Sequence, residues 1–214
     1  MKKTILFQGD SITDSCRRNE WGNNIGFGYA TLVASALGLA EPYQYDFINK
    51  GVSGNRIVDL YARIKKDIIN LKPDYLSILI GVNDVWHEVA EKNGVDAQKF
   101  ELVYGLLIEE LKTALPALKI MILEPFTLPG DVTDPEDKPG RYASLRKEVE
   151  LRAEAAKRIA QKHGLVFVPL QKLFDEANAT APVRGCWLWD GVHPTAAGHE
   201  LIKNEWLKAF ELLK

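Results

Sequence analysis

Lys3-Thr4-Ile5-Leu6-Phe7-Gln8-Gly9-Asp10-Ser11-Ile12-Thr13-Asp14 carries a short apolar run, stopped by glycine and followed at once by polar and hydroxyl-bearing side chains. A run of this length bounded by a turn signal predicts a buried strand over Lys3 to Gln8. Runs of the same kind recur at Tyr45 to Asn49, Tyr75 to Ile80, Lys119 to Leu123 and Leu165 to Val168. Between them the apolar period becomes helical: Ile57, Leu60, Tyr61, Ile64 and Ile68 share one face, as do Phe100, Val103, Leu107, Leu111 and Leu115. A third helix is expected over Tyr142 to His163, stopped by Gly164. A last one is expected to open at Pro194 and to turn Ile202, Trp206, Ala209, Phe210 and Leu213 inward. Strands that alternate with helices are joined by crossovers, which makes neighbouring strands parallel. The expected fold is therefore α/β, a three-layer α/β/α arrangement around a five-stranded, mostly parallel sheet, in a single domain spanning 1–214.

With 214 residues, 46% hydrophobic and 26% charged, the chain is long enough to bury a core without disulfides or metals. A formal charge of −2, with basic residues scattered among acids, offers no electrostatic footprint for nucleic acid. Three consecutive apolar residues before Gln8 are too few for a secretory leader, and no apolar run is long enough to cross a bilayer. The expectation is a soluble cytoplasmic chain that uses neither membrane nor nucleic acid. Cys16 and Cys186 have no metal-ligand or redox spacing and read as free buried thiols, although a disulfide between them stays open. Asp14 to Gly28 and Thr127 to Gly140 read as surface loops. The second is long enough for a lid or a subunit contact, so a homo-oligomer also stays open.

Ligands of parallel α/β sheets gather beyond the carboxyl ends of the strands. Three such ends carry Gly9-Asp10-Ser11, Gly51-Val52-Ser53-Gly54-Asn55-Arg56 and Gly81-Val82-Asn83-Asp84, and a fourth segment, Trp189-Asp190-Gly191-Val192-His193-Pro194, precedes the last helix. A serine hydroxyl needs a base to become a nucleophile, and an imidazole serves best when a carboxylate fixes its tautomer. Asp190 and His193, three apart on a turn, meet that need for Ser11. The N–H groups of Ser11 and Gly54 and the Asn83 amide are candidate oxyanion donors. Alone, Ser11 would read as a helix cap and Asn83 and Asp84 as turn formers; in company Ser11 and Asn83 read as chemistry, while Asp84 keeps the structural role. Asp10 is expected to make structural hydrogen bonds near the pocket. His87 reads as a pocket or surface residue, His163 as a helix-end residue and His199 as a satisfied helix residue, with no metal spacing to His193. No glycine-rich segment matches a phosphate-binding loop, so no cofactor or metal is expected.

Gly9-Asp10-Ser11, Gly54, Gly81-x-Asn83-Asp84 and Asp190-x-x-His193-Pro194, in this order and over nearly the whole chain, resemble the four blocks of the SGNH, or GDSL-type, hydrolases. The resemblance implies a flavodoxin-like sheet, a triad of Ser11, Asp190 and His193, an oxyanion hole of Ser11, Gly54 and Asn83, and no metal. Ile12 departs from the leucine common after the serine, a volume-conserving change. The wider strings at 9–14, 49–55, 80–86 and 189–194 are most similar to bacterial acetylxylan and acetyl-xylooligosaccharide esterases. That similarity implies an acetylated oligosaccharide or another small ester as substrate. Trp86, Trp189, Arg56 and Asp10 are the pocket candidates, with Trp21 expected near the same rim and Trp187 beside the acid. A thioesterase or lysophospholipase on the same triad, or a non-catalytic carbohydrate-binding domain, are the competing readings.

Overall fold

The computed structural model describes residues 2–17 and 24–214. Five strands, β1 (Lys3–Gly9), β2 (Tyr45–Asn49), β3 (Tyr75–Leu79), β4 (Lys119–Leu123) and β5 (Val166–Val168), form one sheet in the order β2-β1-β3-β4-β5. Every pairing is parallel. The expected α/β sheet is thus observed with no antiparallel edge. Alternate residues of each strand feed opposite cores, as the period of two requires. Ile5, Phe7, Tyr75, Leu79, Met121 and Leu123 enter one cluster. Leu6, Leu76, Ile78, Ile120 and Ile122 enter the other.

On the first face lie α2 (Tyr29–Ala40), α8 (Gln171–Ala179) and α9 (Ala196–Phe210), whose Tyr29, Val33, Phe174, Ile202, Trp206 and Phe210 are buried there. The second face is covered by α3 (Ile57–Ala62), α4 (Ile64–Asp67), α6 (Ala97–Ala114) and the distal half of α7 (Arg141–His163). Both faces of a parallel sheet must be covered in this way, and each fully buried Leu, Ile or Phe contributes about 1.5–3 kcal/mol. Two short helices complete the set: α1 (Ser11–Asp14) and α5 (Val82–Glu91), each beginning within three residues of a strand end.

Several local expectations are corrected. The stripe from Ile57 to Ile68 is not one helix; it breaks at Arg63, whose guanidinium turns to bond Asn55 Oδ1 (2.8 Å), Lys50 O (2.9 Å) and Gln8 Oε1 (2.9 Å). The last helix opens at Ala196, because Thr195 caps it by accepting from Gly198 N (3.2 Å), while Pro194 pairs with Leu188 in an antiparallel bridge. Asn83 and Asp84 occupy the first turn of α5 instead of a loop. Helices α2, α5 and α8 were not among the expected elements. Both cysteines are free, but Cys16 is exposed instead of buried.

Candidate active site

The strand order reverses between β1 and β3, so the crevice at the end of β1 is the topological switch point where such sheets bind ligands. Ser11 stands there as the first residue of α1. Asp10 is the cap of that helix, its Oδ1 accepting from Ile12 N (3.0 Å), so the capping role belongs to Asp10 and leaves the serine side chain free. Ser11 Oγ lies 2.9 Å from His193 Nε2.

The base and its acid come from one tight turn. Trp189 N donates to His193 O (3.0 Å) and Thr195 N to Trp187 O (2.9 Å), folding 187–195 back on itself. Asp190 divides its two oxygens within that turn. Oδ1 accepts from the backbone N–H of Val192 (2.8 Å) and His193 (2.7 Å), and Oδ2 lies 2.6 Å from His193 Nδ1. A carboxylate at Nδ1 takes that ring proton and leaves the Nε2 lone pair facing Ser11. Burial would push the Asp190 carboxyl up, but the bonds from the His193 ring and from two backbone N–H groups outweigh it and hold the pKa below the ordinary value. The hydrogen bond to Asp190 raises His193 above 6.5, against the opposing pull of its own desolvation.

The turn is held from behind by a segment that the sequence presents as loop. Leu128 N (2.9 Å) and Thr127 Oγ1 (2.8 Å) donate to Gly191 O, and Val132 N donates to Asp190 O (3.2 Å). Gly191 has φ +95°, and a Cβ there would strike Thr133 and the Leu128 carbonyl, so glycine is required both by conformation and by closeness. Gln171 clasps Thr127 from the other side, accepting from its N (3.0 Å) and donating to its O (2.9 Å). Thr127, Leu128 and Thr133 are buried. The first half of the 127–140 segment therefore supports the acid through buried Thr127, Leu128 and Thr133, while Asp131, Val132 and residues 136–140 are exposed.

The oxyanion candidates arrive from three strand ends. Neither Ser11 N nor Gly54 N has an acceptor among the described residues, and both residues line one cavity of about 300 Å3 with Asn83, Asp190 and His193. Gly54 has φ +82°, a value that other residues reach only with strain. Asn83 Nδ2 donates one hydrogen to Asn55 O (3.2 Å), which fixes the amide and leaves its second hydrogen available. Asp84, fully buried, accepts from Ile57 N with both oxygens (3.1 and 3.3 Å) and so ties α5 to the start of α3. The loop from β2 to α3 is moored by Asp14, whose Oδ2 accepts from Ser53 N (3.1 Å) and Ser53 Oγ (2.8 Å). Asp14, Arg63, Thr127 and Gln171 are positioning residues without a sequence motif; an acid in the turn after the serine was the sole visible hint.

Of the pocket candidates, Trp86 lines the cavity together with Ser53, His87, Glu91, Val132 and Val192. Trp189 stands at the rim, 58% exposed, with its ring stacked on His193 at 5.5 Å between centroids. Two candidates lie elsewhere. Arg56 caps α3 and spends its guanidinium on Asp59 (2.9 and 3.2 Å) and Asn93 O (2.6 Å). Asp10 is 1% exposed and faces the protein interior; burial lifts its carboxyl to about 7, against the Ile12 N–H bond and the nearby His193. Trp187 is a packing residue, its Nε1 bonded to Ala177 O (3.0 Å). Trp21 lies outside the described residues.

Residues 7–201 match the model of the GDSL-like lipase/acylhydrolase family. The chain belongs to this family. An acetylxylan esterase of Geobacillus stearothermophilus is 34% identical over 215 residues, covering 95% of this chain and 92% of the relative. The crystal structure of that esterase superposes with a TM-score of 0.83 at 32% identity, covering 97% and 93% of the two chains. A protein of Parabacteroides merdae assigned as a GDSL-like lipase superposes with a TM-score of 0.89 at 35% identity, covering 99% and 98%. The fold is that of the SGNH hydrolases, and this member of the GDSL-like family is a carboxylic ester hydrolase acting on small-molecule esters.

Proposed function

We propose that the protein is a serine esterase that removes short acyl groups, acetyl above all, from carbohydrates such as xylooligosaccharides. The observation that carries the reading is the unbroken chain from Asp190 through His193 to Ser11 Oγ, at 2.6 and 2.9 Å, opening into a cavity with two uncommitted backbone N–H groups. His193 takes the Ser11 proton as Oγ attacks the ester carbonyl. The tetrahedral oxyanion falls to Ser11 N, Gly54 N and the Asn83 amide, and Asp190 steadies the imidazolium. Collapse expels the alcohol, protonated by His193, and leaves an acyl-serine. Water activated by the same base then releases the acid.

The preference for a short acyl group rests on the modest cavity and its mixed lining of Ser53, His87 and Glu91 beside Trp86. The carbohydrate part rests on similarity to the Geobacillus esterase and on the two tryptophans at the mouth, whose faces suit sugar rings. Ser11→Ala is expected to lower acetyl-ester turnover by about 10⁶ while the fold persists. Retained activity in that variant would defeat the mechanism. A series of p-nitrophenyl esters is expected to peak at acetate, and a peak at eight carbons or more would instead favour a lysophospholipase or thioesterase.

A further inference from the structure

The Trp86 ring that lines the catalytic cavity is covered by the Arg141 guanidinium, whose carbon lies 4.8 Å from the ring centroid. Arg141 in turn lines a second, larger cavity of about 560 Å3, bounded by Val89 and Ala90 of α5 and by Lys138, Arg141 and Ser144 opposite. Val89 and Ala90 follow Trp86 by one helical turn, about 5 Å along the axis. The two cavities thus adjoin across one aromatic side chain.

The second cavity has a single electrostatic sign. Among the described residues Lys138 and Arg141 line it and no carboxylate does; Glu136 and Asp137, next in sequence, are exposed and stand outside the lining. Neither cationic side chain has an ion pair or hydrogen bond to another described residue, and Arg141 Nε is buried without an acceptor. Unlike Arg141, Arg56 and Arg63 near the site are each committed to a carboxylate. The 23-residue helix α7 also begins at this cavity, capped by Gly140 with no side-chain acceptor and with no acid in its first turn. Its positive end therefore adds to the same field. With no acceptor among the described residues the Arg141 guanidinium is uncommitted, and the planar fork of arginine matches a carboxylate.

We infer that this cavity is a subsite for a carboxylate-bearing sugar unit, a uronic acid carried on the same oligosaccharide whose acyl ester is cut at Ser11. The inference rests on the carbohydrate reading above. A free inorganic anion would fill little of the volume, whereas a sugar ring fills it and places its carboxylate between Lys138 and Arg141. The subsite selects the alcohol portion of the ester, and the acyl group remains with the catalytic cavity.

The test compares kcat/KM on two matched acetylated xylooligosaccharides, one neutral and one bearing a glucuronic acid branch beside the acetylated unit. The acidic substrate is expected to be favoured about tenfold, chiefly through KM, as charge-assisted hydrogen bonds allow. Lys138→Gln and Arg141→Gln are each expected to shrink the preference at least threefold, about half of it on a logarithmic scale, and the pair to abolish it. Neutral-substrate and p-nitrophenyl acetate rates should hold in Lys138→Gln, which leaves the Arg141–Trp86 stack intact. Raising the salt to about 1 M, where the screening length falls to about 3 Å, should also shrink the preference. Turnover of both oligosaccharides at equal kcat/KM overturns the subsite alone, as does a preference that survives both substitutions. Turnover of p-nitrophenyl acetate but of neither oligosaccharide overturns the carbohydrate reading and the subsite with it.

Discussion

His193 and His199 stand six positions apart and touch opposite ends of the same nucleophile segment, yet their surroundings drive them to opposite protonation behaviour. His193 Nε2 meets Ser11 Oγ at 2.9 Å, and its other nitrogen has a carboxylate at 2.6 Å. His199 Nε2 lies 3.5 Å from Ser15 Oγ, and its Nδ1 accepts from the backbone N–H of Tyr29 at 3.1 Å. The bond to Asp190 raises the first imidazole, whereas burial, with a further push from His193, lowers the second to about 4. One ring is set to hold a proton more readily than a free imidazole. The other is kept neutral so that it can accept a bond from the first turn of α2. Two titrating groups whose environments separate their pKa values suggest different assignments, and here the separation divides the candidate base from a scaffold ring.

The largest expected effect removes the first ring. His193→Ala leaves Ser11 without a base, and kcat on acetyl esters should fall by about 10⁶, close to the loss from Ser11→Ala, because the two act as a unit. A loss much smaller than that of Ser11→Ala would mean that another group accepts the serine proton. Asp190→Asn keeps a side chain of the same shape but donates to Nδ1 instead of accepting, so His193 presents the wrong tautomer; about 10⁴ in kcat is expected. It also removes the bond that raises His193. A base must be neutral to act, so the acid limb of kcat/KM for the residual activity should move to lower pH in this variant. An unmoved limb would show that Asp190 does not set the His193 titration. Asn83→Ala, which removes one oxyanion donor, should cost about 10² to 10³ in kcat with little change in KM.

That Ser11, Asp190 and His193 would be brought together was legible because each residue type suits one part of the proposed chemistry, and Asp190 and His193 are close enough in sequence for one turn to join them. The sheet was legible for a similar reason: fully buried parallel strands read as continuous apolar runs. What stayed hidden depends on burial contrast or on long-range bonds. Helix α2 reads Tyr-Ala-Thr-Leu-Val-Ala-Ser-Ala-Leu-Gly-Leu-Ala from Tyr29 to Ala40, with Thr31 and Ser35 its sole polar side chains after Tyr29 and so too uniformly apolar to show a stripe. Asn83 and Asp84 carry turn propensity, which tertiary bonding overrides once Asp84 receives Ile57 N. Thr127 to Thr133 shows a proline, a glycine and an acid and so reads as a surface loop. Its burial follows from bonds to Gly191 and Asp190, some sixty residues away, which no local pattern encodes. Arg56, a pocket candidate, is instead held by Asp59 on the next helical turn, which captures its side chain.

The smallest expected effect tests the second ring. In the unfolded chain His199 binds a proton below about 6.5, and in the folded protein not until about 4. Between those values the unfolded state holds more protons, so stability rises with pH there and is lost as the solution is acidified from 6.5 toward 4. From pH 6.5 to 5 the His199 contribution amounts to about 2 kcal/mol. Asp10 and Asp84 act in the opposite sense. Burial raises each to about 7, so each favours the folded state less as pH rises from about 4 to 7, and the wild-type curve is a sum of opposing slopes. Comparison with His199→Gln cancels the aspartates, because both proteins share them, and the glutamine carbonyl can still accept from Tyr29 N–H. The variant is expected to be slightly less stable than wild type at pH 8 and to close the gap, or reverse it, by pH 5 in urea unfolding. A gap that stays constant between pH 8 and 5 would mean that His199 gains its proton in the folded state as readily as in the unfolded one. The bond to Tyr29 would then have to survive on a charged ring, which has no lone pair to offer at Nδ1.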